Sequence, residues 1–435
     1  MKIYIKKIFL FFYLFNVPYT LVGMDNPQFY AATQFFPALQ EPRIVKNGLS
    51  SLDIVVSGGA TSKARNGEGC LVPLLSIHGP QNMQLLGAGL PLKDLSDPFD
   101  ITLTQLALLP RSCNFGCLLF DGRFSIFDSA LTWTQNYICG FFSQVHLPIR
   151  WIKISDVTYC DISSSDSCCV NQASPIWQTL LANLCPLFKQ YHRSISGFSK
   201  KGVGDLVIIA GWGLNYEETE ELDFIDLSLR VGLLIPTSAK TKPERVFDIP
   251  LGYNGQWGIP MSISFAVGVY DWLTLGTFLG VLPFAPTKRD IALKTDACQN
   301  GFIKLATGCA CINPGPIWQA SAYVKADHVI KGLSFLFGYT FVNKNADQVT
   351  PSNNHFSPCS LNNAFFSTCT VATDQQFFGW NMHTLHFMVE YDFTKPSHCV
   401  GPRLGAFIQK QLGGKRVFAT NLYGGNFGIE FSWTF

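Results

Sequence analysis

Residues 384–393, TLHFMVEYDF, alternate between apolar side chains and side chains that, apart from Met388, are polar. Successive side chains of a β-strand point to opposite faces. One face therefore carries Leu385, Phe387, Val389, Tyr391 and Phe393, and the other carries Thr384, His386, Met388, Glu390 and Asp392. This stretch predicts a strand with one apolar and one mainly polar face.

The same alternation recurs in segments 206–215, 225–235, 318–326 and 333–341. The lengths of these segments match the roughly 9–11 residues of a tilted transmembrane strand, whereas strands of soluble sandwiches usually have about five or six. The apolar faces are rich in aromatic side chains, and the polar faces carry small residues and charges. Lipid outside and a wet lumen inside explain this arrangement, so we predict a transmembrane antiparallel up-and-down β-barrel.

The C-terminal residues alternate in the same way. The apolar parity comprises Phe427, Ile429, Phe431, Trp433 and Phe435. Alternating aromatics that end on a terminal Phe resemble the barrel-closing signal of bacterial outer-membrane proteins. We therefore expect location in the bacterial outer membrane, with its lipid and the barrel-assembly machinery as partners.

The lengths of the connections predict the strand count. Short and long links alternate from residue 203 onward, which gives nine strands and leaves residues 413–425 as an outer loop. Upstream, we expect a strand near 52–60, a hairpin turn at Asp121-Gly122, and two strands separated by Pro148. The total is about 14 strands, within a range of 12–16, because an even number returns both ends to the periplasm.

Composition and the N-terminus agree with export. Only 14% of residues are charged and the net charge is +2, which argues against disorder and against nucleic acid as a partner. Residues 1–23 have a basic start and a short apolar run typical of a signal peptide, and an N-terminal membrane anchor is the alternative. Residues 24–49 would form a periplasmic or lumen-inserted segment, and 50–435 the barrel.

Two features lie in the predicted loops. Apolar residues recur at helical spacing over 175–194, which predicts one helix, either packed in a long loop or acting as a gate. The loop cysteines suggest disulfides in an oxidising compartment, and pairing cannot be deduced from sequence. The candidates are Cys298, Cys309, Cys311, Cys359 and Cys369.

Charged side chains on the polar parity are candidates for lining the lumen. They are Asp226, Arg230, Lys325, His386, Glu390 and Asp392. Such charges set the selectivity of a pore or pair across a packed interior, and both readings stay open. We find no nucleophile motif, phosphate-binding loop or metal-ligand spacing, and therefore expect neither an enzyme nor a cofactor or metal.

Residues 202–206, GVGDL, and 229–237, LRVGLLIPT, carry a family resemblance. They resemble the outer-membrane barrel family named for the MetA pathway of phenol degradation, which is related in architecture to long-chain fatty-acid transporters. In that family a Gly-x-Gly-Asp opens one strand, and the next ends in a Leu-Pro-Thr-Gly type sequence. Here Ser238 replaces the final Gly. The resemblance implies uptake of small hydrophobic or aromatic compounds.

Two hypotheses for function follow. The first is a passive outer-membrane channel or transporter for small molecules, apolar ones among them. The second is a closed structural barrel that displays disulfide-bearing surface loops for contact with a host or partner. A lumen filled by paired charges and large side chains would favour the second. The sequence leaves the oligomeric state open.

Overall fold

A computed structural model describes residues 49–86, 116–163, 175–217, 222–242, 244–270, 272–357, 368–393 and 400–432. Twelve long strands form one barrel. They are β1 Leu49–Thr61, β2 Cys117–Asn136, β3 Phe141–Asp161, β4 Leu206–Glu217, β5 Phe224–Ile235, β6 Met261–Val269, β7 Leu273–Leu282, β8 Ile317–Ile330, β9 Leu333–Lys344, β10 Trp380–Asp392, β11 Val400–Lys415 and β12 Leu422–Ser432.

Each barrel strand pairs antiparallel with the strand before it and the strand after it. The last strand also pairs with the first, with Ile54 opposite Phe427, and this pairing closes the barrel. Closure leaves no unpaired edge among these strands, as a transmembrane sheet requires. The predicted up-and-down barrel is confirmed. Its strand count is twelve rather than 14, and nine of the twelve follow residue 203 as predicted.

The two missing strands come from β2 and β3, each of which the sequence suggested would be divided. Asp121-Gly122 is not a turn: β2 runs through it beside a register shift, and Asp121 Oδ1 accepts from the Leu74 amide at 3.3 Å. Pro148 lies within β3, where the partner strand changes from β4 to Phe198–Val203. Its missing N–H therefore interrupts no continuous ladder.

The outer face of the barrel is apolar. Phe387 is 46% exposed while its neighbour His386 is 1% exposed, as the alternation predicts. The exposed side chains on this face include Phe127, Trp151, Leu229, Val231, Phe265, Trp318, Phe337, Ile408 and Phe427. A continuous apolar belt of this kind suits lipid rather than water, so the strands form a transmembrane barrel.

The connections differ sharply at the two ends of the barrel. Residues 137–140 and 331–332 link strands at one end, which we call the turn end. At the other, the loop end, residues 236–260 and 283–316 are among the long connections. The start of β1 and the end of β12 both lie at the turn end. This distribution matches the predicted alternation of short and long links.

The loops fold into a compact cap at the loop end. Beyond the barrel strands it contains Lys63–Arg65, Leu71–Pro73, Gln81–Asn82, Phe198–Val203, Thr287–Leu293, Ala306–Asn313, Gln348–Ser357 and Val417–Phe418, and the 3-10 helices Leu74–Ser76 and Gln375–Phe377. A third 3-10 helix, Ile138–Gly140, lies at the turn end. The α-helices are α1 Pro175–Ala182, α2 Leu184–Gln190 and α3 Thr368–Ala372. We call the loop-end assembly the loop cap.

The single helix predicted at 175–194 is instead the pair α1 and α2. Pro186 explains the break, because a proline ring clashes with the carbonyl four residues earlier, here that of Ala182, where α1 ends. Trp177, Leu184 and Phe188 are buried in the hydrophobic core of the loop cap. The helices thus pack within the cap, above the ends of β2 and β3.

No helix in the described ranges is long and apolar enough to cross a membrane. Several sequence predictions fall outside the described residues: the signal peptide at 1–23, the segment 24–49 apart from its last residue, and Trp433 and Phe435 of the closing signal. The rest of that signal, Phe427, Ile429 and Phe431, lies in β12 and pairs with β1.

Candidate functional site

Inward-facing side chains fill the barrel in four layers. From the turn end these are a charged layer, a lower apolar layer, a polar belt and an upper apolar layer. The charged layer consists of Asp53, Lys325, Asp327, Glu390, Arg403 and Glu430. The lower apolar layer consists of Val55, Tyr323, Leu336, Met388 and Phe407. The polar belt is Gln319, Ser321, Thr340, Thr384, His386, Gln409 and Gln411; the upper apolar layer includes Val207, Ile209, Leu234, Leu282, Ile317, Val342 and Met382.

Arg403 organises the charged layer. Its guanidinium lies 2.8 Å from Asp53, 3.4 Å from Glu430 and 4.0 Å from Glu390. These carboxylates belong to β1, β12 and β10, so the cluster crosses the seam where the barrel closes. Breaking a buried ion pair by removing one partner typically costs about 3–5 kcal/mol, because the other charge is left uncompensated. Arg403 therefore stabilises the closure of the barrel.

The lower apolar layer is a cluster of buried side chains on the inner face of the barrel. Leu336 lies opposite Met388, and Met388 opposite Phe407, on three neighbouring strands. Tyr323 completes the cluster from β8, and all four side chains are buried. These four side chains therefore pack as an apolar cluster on the inner face of four neighbouring strands.

The polar belt lies directly beyond that layer. A 2.9 Å hydrogen bond joins His386 Nε2 to Thr340 Oγ1, and another of 2.9 Å joins Thr340 to Ser321. Register places Gln409 opposite His386, and Gln411 opposite Thr384. Adjacent strands thus bring hydroxyl, imidazole and amide groups to one height in the barrel.

A small cavity of about 20 Å³ lies beside the upper apolar layer. Its polar lining includes Arg230, Tyr253, Ser262 and Gln319, and its apolar walls include Ile209, Phe278 and Leu282. The Arg230 guanidinium also lies 5.9 Å from the centre of the Phe142 ring. This volume is about that of one water molecule. A larger solute would require side chains to move.

Asp205 ties the loop end of β4 to the loop that follows β5. Its carboxylate accepts hydrogen bonds from the amides of Ser238, at 2.9 Å, and Tyr253. Beside it, Thr237 donates to the Gly204 carbonyl at 2.7 Å and accepts from the Leu206 amide at 3.1 Å. The two sequence segments that carry the family resemblance therefore meet in space and form one clamp.

The loop cap contains a second cavity, of about 100 Å³. Phe247, Phe302 and Phe377 form part of its apolar lining, beside Arg193 and Lys304. Burial lowers the pKa of Arg193 to about 10 and, despite the ion pair with Asp374, that of Lys304 to about 8. These cations are held by the cap itself, since Arg193 donates to the Leu305 and Ala306 carbonyls.

The six predicted lumen candidates all lie at inward-facing positions of their strands, but they are found at different heights along the barrel. Glu390 belongs to the Arg403 cluster, and Asp392 lies opposite Arg403 in register. Lys325 pairs with Asp327 at 2.7 Å. His386 belongs to the polar belt, Arg230 lines the small cavity, and Asp226 is half-buried near the turn end of β5. They do not form a single site.

Sequence reasoning missed Arg403, Gln409 and Gln411. The signal was present, because Arg403, Gly405, Phe407, Gln409 and Gln411 share one parity over 403–411. The segment was predicted to be a strand, but Phe407 on its polar parity and Lys410 on its apolar parity weaken the alternation, so its inward-facing polar residues were not chosen as candidates. Asp53 and Glu430 were likewise missed as partners of Arg403.

Among the described residues, no disulfide involves the cysteine candidates. Cys298, Cys309 and Cys311 are free thiols. Cys309 and Cys311 lie two residues apart on one strand, where the spacing of about 6.6 Å and parallel side chains disfavour a bond. Cys359 lies outside the described residues, so a bond involving Cys359 or Cys369 stays a prediction.

Within the ranges that the structure describes, no group of three or more His, Cys, Asp or Glu side chains could hold a metal ion. The charged layer is organised instead around a guanidinium, with Asn426 Nδ2 donating to Glu390 at 2.8 Å. The inner surface is therefore a set of hydrogen-bonding and apolar levels.

Comparison with known proteins finds no matching family model and no matching curated protein. Solved structures that match include an outer membrane channel from Pseudomonas putida F1, with 11% identity over 89% of this chain and 97% of that one, at a TM-score of 0.46. The monoaromatic hydrocarbon channel CymD matches with 9% identity over 96% of this chain and 95% of that one, at a TM-score of 0.31. A Pseudomonas aeruginosa FadL homologue matches with 8% identity over 88% of each chain, at a TM-score of 0.26. The matches thus include the type of channel that the sequence resemblance suggested. All three TM-scores are below 0.5, and the barrel of this chain is defined by its own strand pairing.

Proposed function

We propose that this protein is an outer-membrane channel for passive uptake of small molecules with apolar bodies. The loop end would face the outside and the turn end the periplasm. Residues 24–49 would lie in the periplasm or enter the lumen. Outer-membrane lipid would surround the barrel, the assembly machinery would insert it, and the solute would be its functional partner.

The observation that carries this proposal is the layered interior of a closed, lipid-suited barrel. Two apolar layers enclose a polar belt, and a cavity lies beside them. Small-molecule sites are commonly concave and mainly apolar, with a few convergent polar groups. A lumen built in this way suits an apolar solute better than a hydrated ion.

Transport would require side-chain movement in the lower apolar layer. Met388 and Phe407 lie opposite each other on the adjacent strands β10 and β11 and belong to this buried cluster. The Phe407 side chain has no hydrogen-bonding group and the Met388 thioether is only a weak acceptor, so their rotation breaks no strong hydrogen bond. A passing apolar solute would replace the contacts that these side chains lose.

Uptake of the hydrophobic dye N-phenyl-1-naphthylamine by Gram-negative cells tests the proposal, since an intact outer membrane excludes this dye. Cells that express the protein should take it up faster than cells with an empty vector. Ser321→Trp, which fills the inner face, should abolish the gain. Ala322→Trp, the next residue on the outer face, should retain it.

The alternative that the dye test must separate from a channel is a closed scaffold that displays the loop cap. Ion pairs and buried side chains fill the described interior, and the cap has a hydrophobic core of its own. A scaffold predicts no dye uptake by the wild type and uptake only after Phe407→Ala opens the lower apolar layer. A channel predicts uptake by both.

A further inference from the structure

Two glutamines of the polar belt differ from its other members. Gln409 is 2% exposed and Gln411 9% exposed, both on the inner face of β11. Among the described residues, neither the amide oxygen nor the amide nitrogen of either side chain has a hydrogen-bond partner. The neighbouring His386, Thr340 and Ser321 are joined by hydrogen bonds.

Unsatisfied buried amides are rare in folded proteins and call for a partner. Each amide offers one carbonyl acceptor and two N–H donors, without charge. They can therefore bind a hydroxyl or a carbonyl, and they provide no ionic partner for a carboxylate or an ammonium group. The pair lies two residues apart on one strand, so both amides face the same part of the lumen.

The surroundings of the pair define the rest of the ligand. Phe407, two residues before Gln409, belongs to the lower apolar layer together with Met388. Met382 and Val342 belong to the upper apolar layer, beyond Thr384 and Thr340. A solute at the belt would thus have its polar group at the glutamines and its apolar body among these side chains.

We propose that Gln409 and Gln411 form a hydrogen-bonding site that selects neutral solutes with one hydroxyl or carbonyl on an apolar body. This inference rests on the proposed function, because it assumes that solutes pass through the lumen. It adds a substrate class and two specificity-determining residues to that function.

The test compares 4-fluorobenzyl alcohol with 4-fluorotoluene, which differ only by the hydroxyl. Fluorine NMR titration of the protein in micelles, with empty micelles as the reference, measures the dissociation constant of each. We expect the wild type to bind the alcohol about tenfold more tightly, as one good hydrogen bond implies. Gln409→Leu with Gln411→Leu should reduce that ratio to near one.

A matched control is Gln144→Leu, also in the interior, where the native amide already donates to Thr134 Oγ1 at 3.1 Å. It should leave the ratio unchanged, and the heat-dependent gel shift checks that each variant is a folded barrel. A wild type without preference, or a double variant that keeps it, would overturn the inference. Dye uptake would still report on the channel itself, so the two failures are distinguishable.

Discussion

The barrel and the loop cap bury apolar side chains in opposite ways. In the barrel, residues such as Phe387 and Trp318 face outward, while ion pairs and hydrogen bonds occupy much of the interior. In the cap, residues such as Trp177 and Phe188 are buried in a core. The barrel therefore needs lipid to satisfy its surface, whereas the cap is built like a small water-soluble domain. We expect the two regions to respond separately to substitution.

The largest expected effect is that of Trp177→Ala in the cap. Trp177 is completely buried and its indole donates to Asp161 at 2.6 Å, so removal should cost the cap about 3–5 kcal/mol. Protease should cleave the loops faster while the heat-dependent gel shift of the barrel persists. Trp318→Ala, on the outer face, should leave cleavage unchanged. Loss of the gel shift in Trp177→Ala would show instead that the barrel and the loop cap unfold as one cooperative unit.

Arg403→Leu tests the barrel in the same way. It leaves Asp53, Glu390 and Glu430 without their shared cation, which should cost about 3 kcal/mol. The temperature at which the folded gel band disappears should fall, with little change in loop cleavage. Adding Asp53→Asn and Glu430→Gln should recover much of the loss. No recovery would argue against a role for charge repulsion.

Asp205→Ala tests the clamp between the two regions. It leaves the Ser238 and Tyr253 amides without their charged acceptor, for which we expect about 2 kcal/mol of local destabilisation. Hydrogen exchange should accelerate over residues 238–253 and stay slow in β4 and β5. Asp290→Ala, which removes an exposed carboxylate of the cap, provides the control. Equal exchange in both variants would contradict the clamp.

The smallest expected effect is a pH dependence of the cap through His78. Burial, with Lys304 and Arg416 nearby, lowers the pKa of His78 to about 3. Between that value and the unfolded pKa near 6.5, the unfolded state binds more protons, so stability falls as pH falls, by up to about 1.4 kcal/mol per pH unit. Loop cleavage should therefore rise from pH 7 to 5.5.

His78→Phe should remove that pH dependence and keep the edge contact that His78 makes with Phe302, whose ring centre is 4.9 Å away. His192→Phe, an exposed position in the cap, should retain it. A slope that survives His78→Phe would assign the effect to other groups.

Most of the barrel could be predicted from local alternation. Segments such as 384–393 and 225–235 contain one period-two pattern each, and the nine strands after residue 203 follow from it. The first part of the barrel was harder, because Asp121-Gly122 and Pro148 have the chemistry of turns and strand ends. The pairing of β2 with β3 on both sides of Gly122 and through Pro148, together with the two successive partner strands on the other side of β3, keeps those residues inside β2 and β3.

The candidate site was predictable in part. Period two placed His386 and Glu390 on the inner face, because parity is a property of each strand alone. Their partners come from other strands: Thr340 lies 46 residues from His386, and Asp53 lies 350 residues from Arg403. Such contacts depend on register and on closure of the barrel, which a single segment does not encode.

By itself the sequence determined the fold class, the strand faces and the alternation of short and long connections, since each depends on neighbouring residues. The tertiary structure alone decided the number of strands, the Arg403 cluster and the layered lumen, whereas the split of the predicted helix follows from Pro186 itself. The physical reason is the distance along the chain over which each feature acts. Side-chain alternation acts over two residues, whereas the layers assemble from strands hundreds of residues apart that only closure brings to one height.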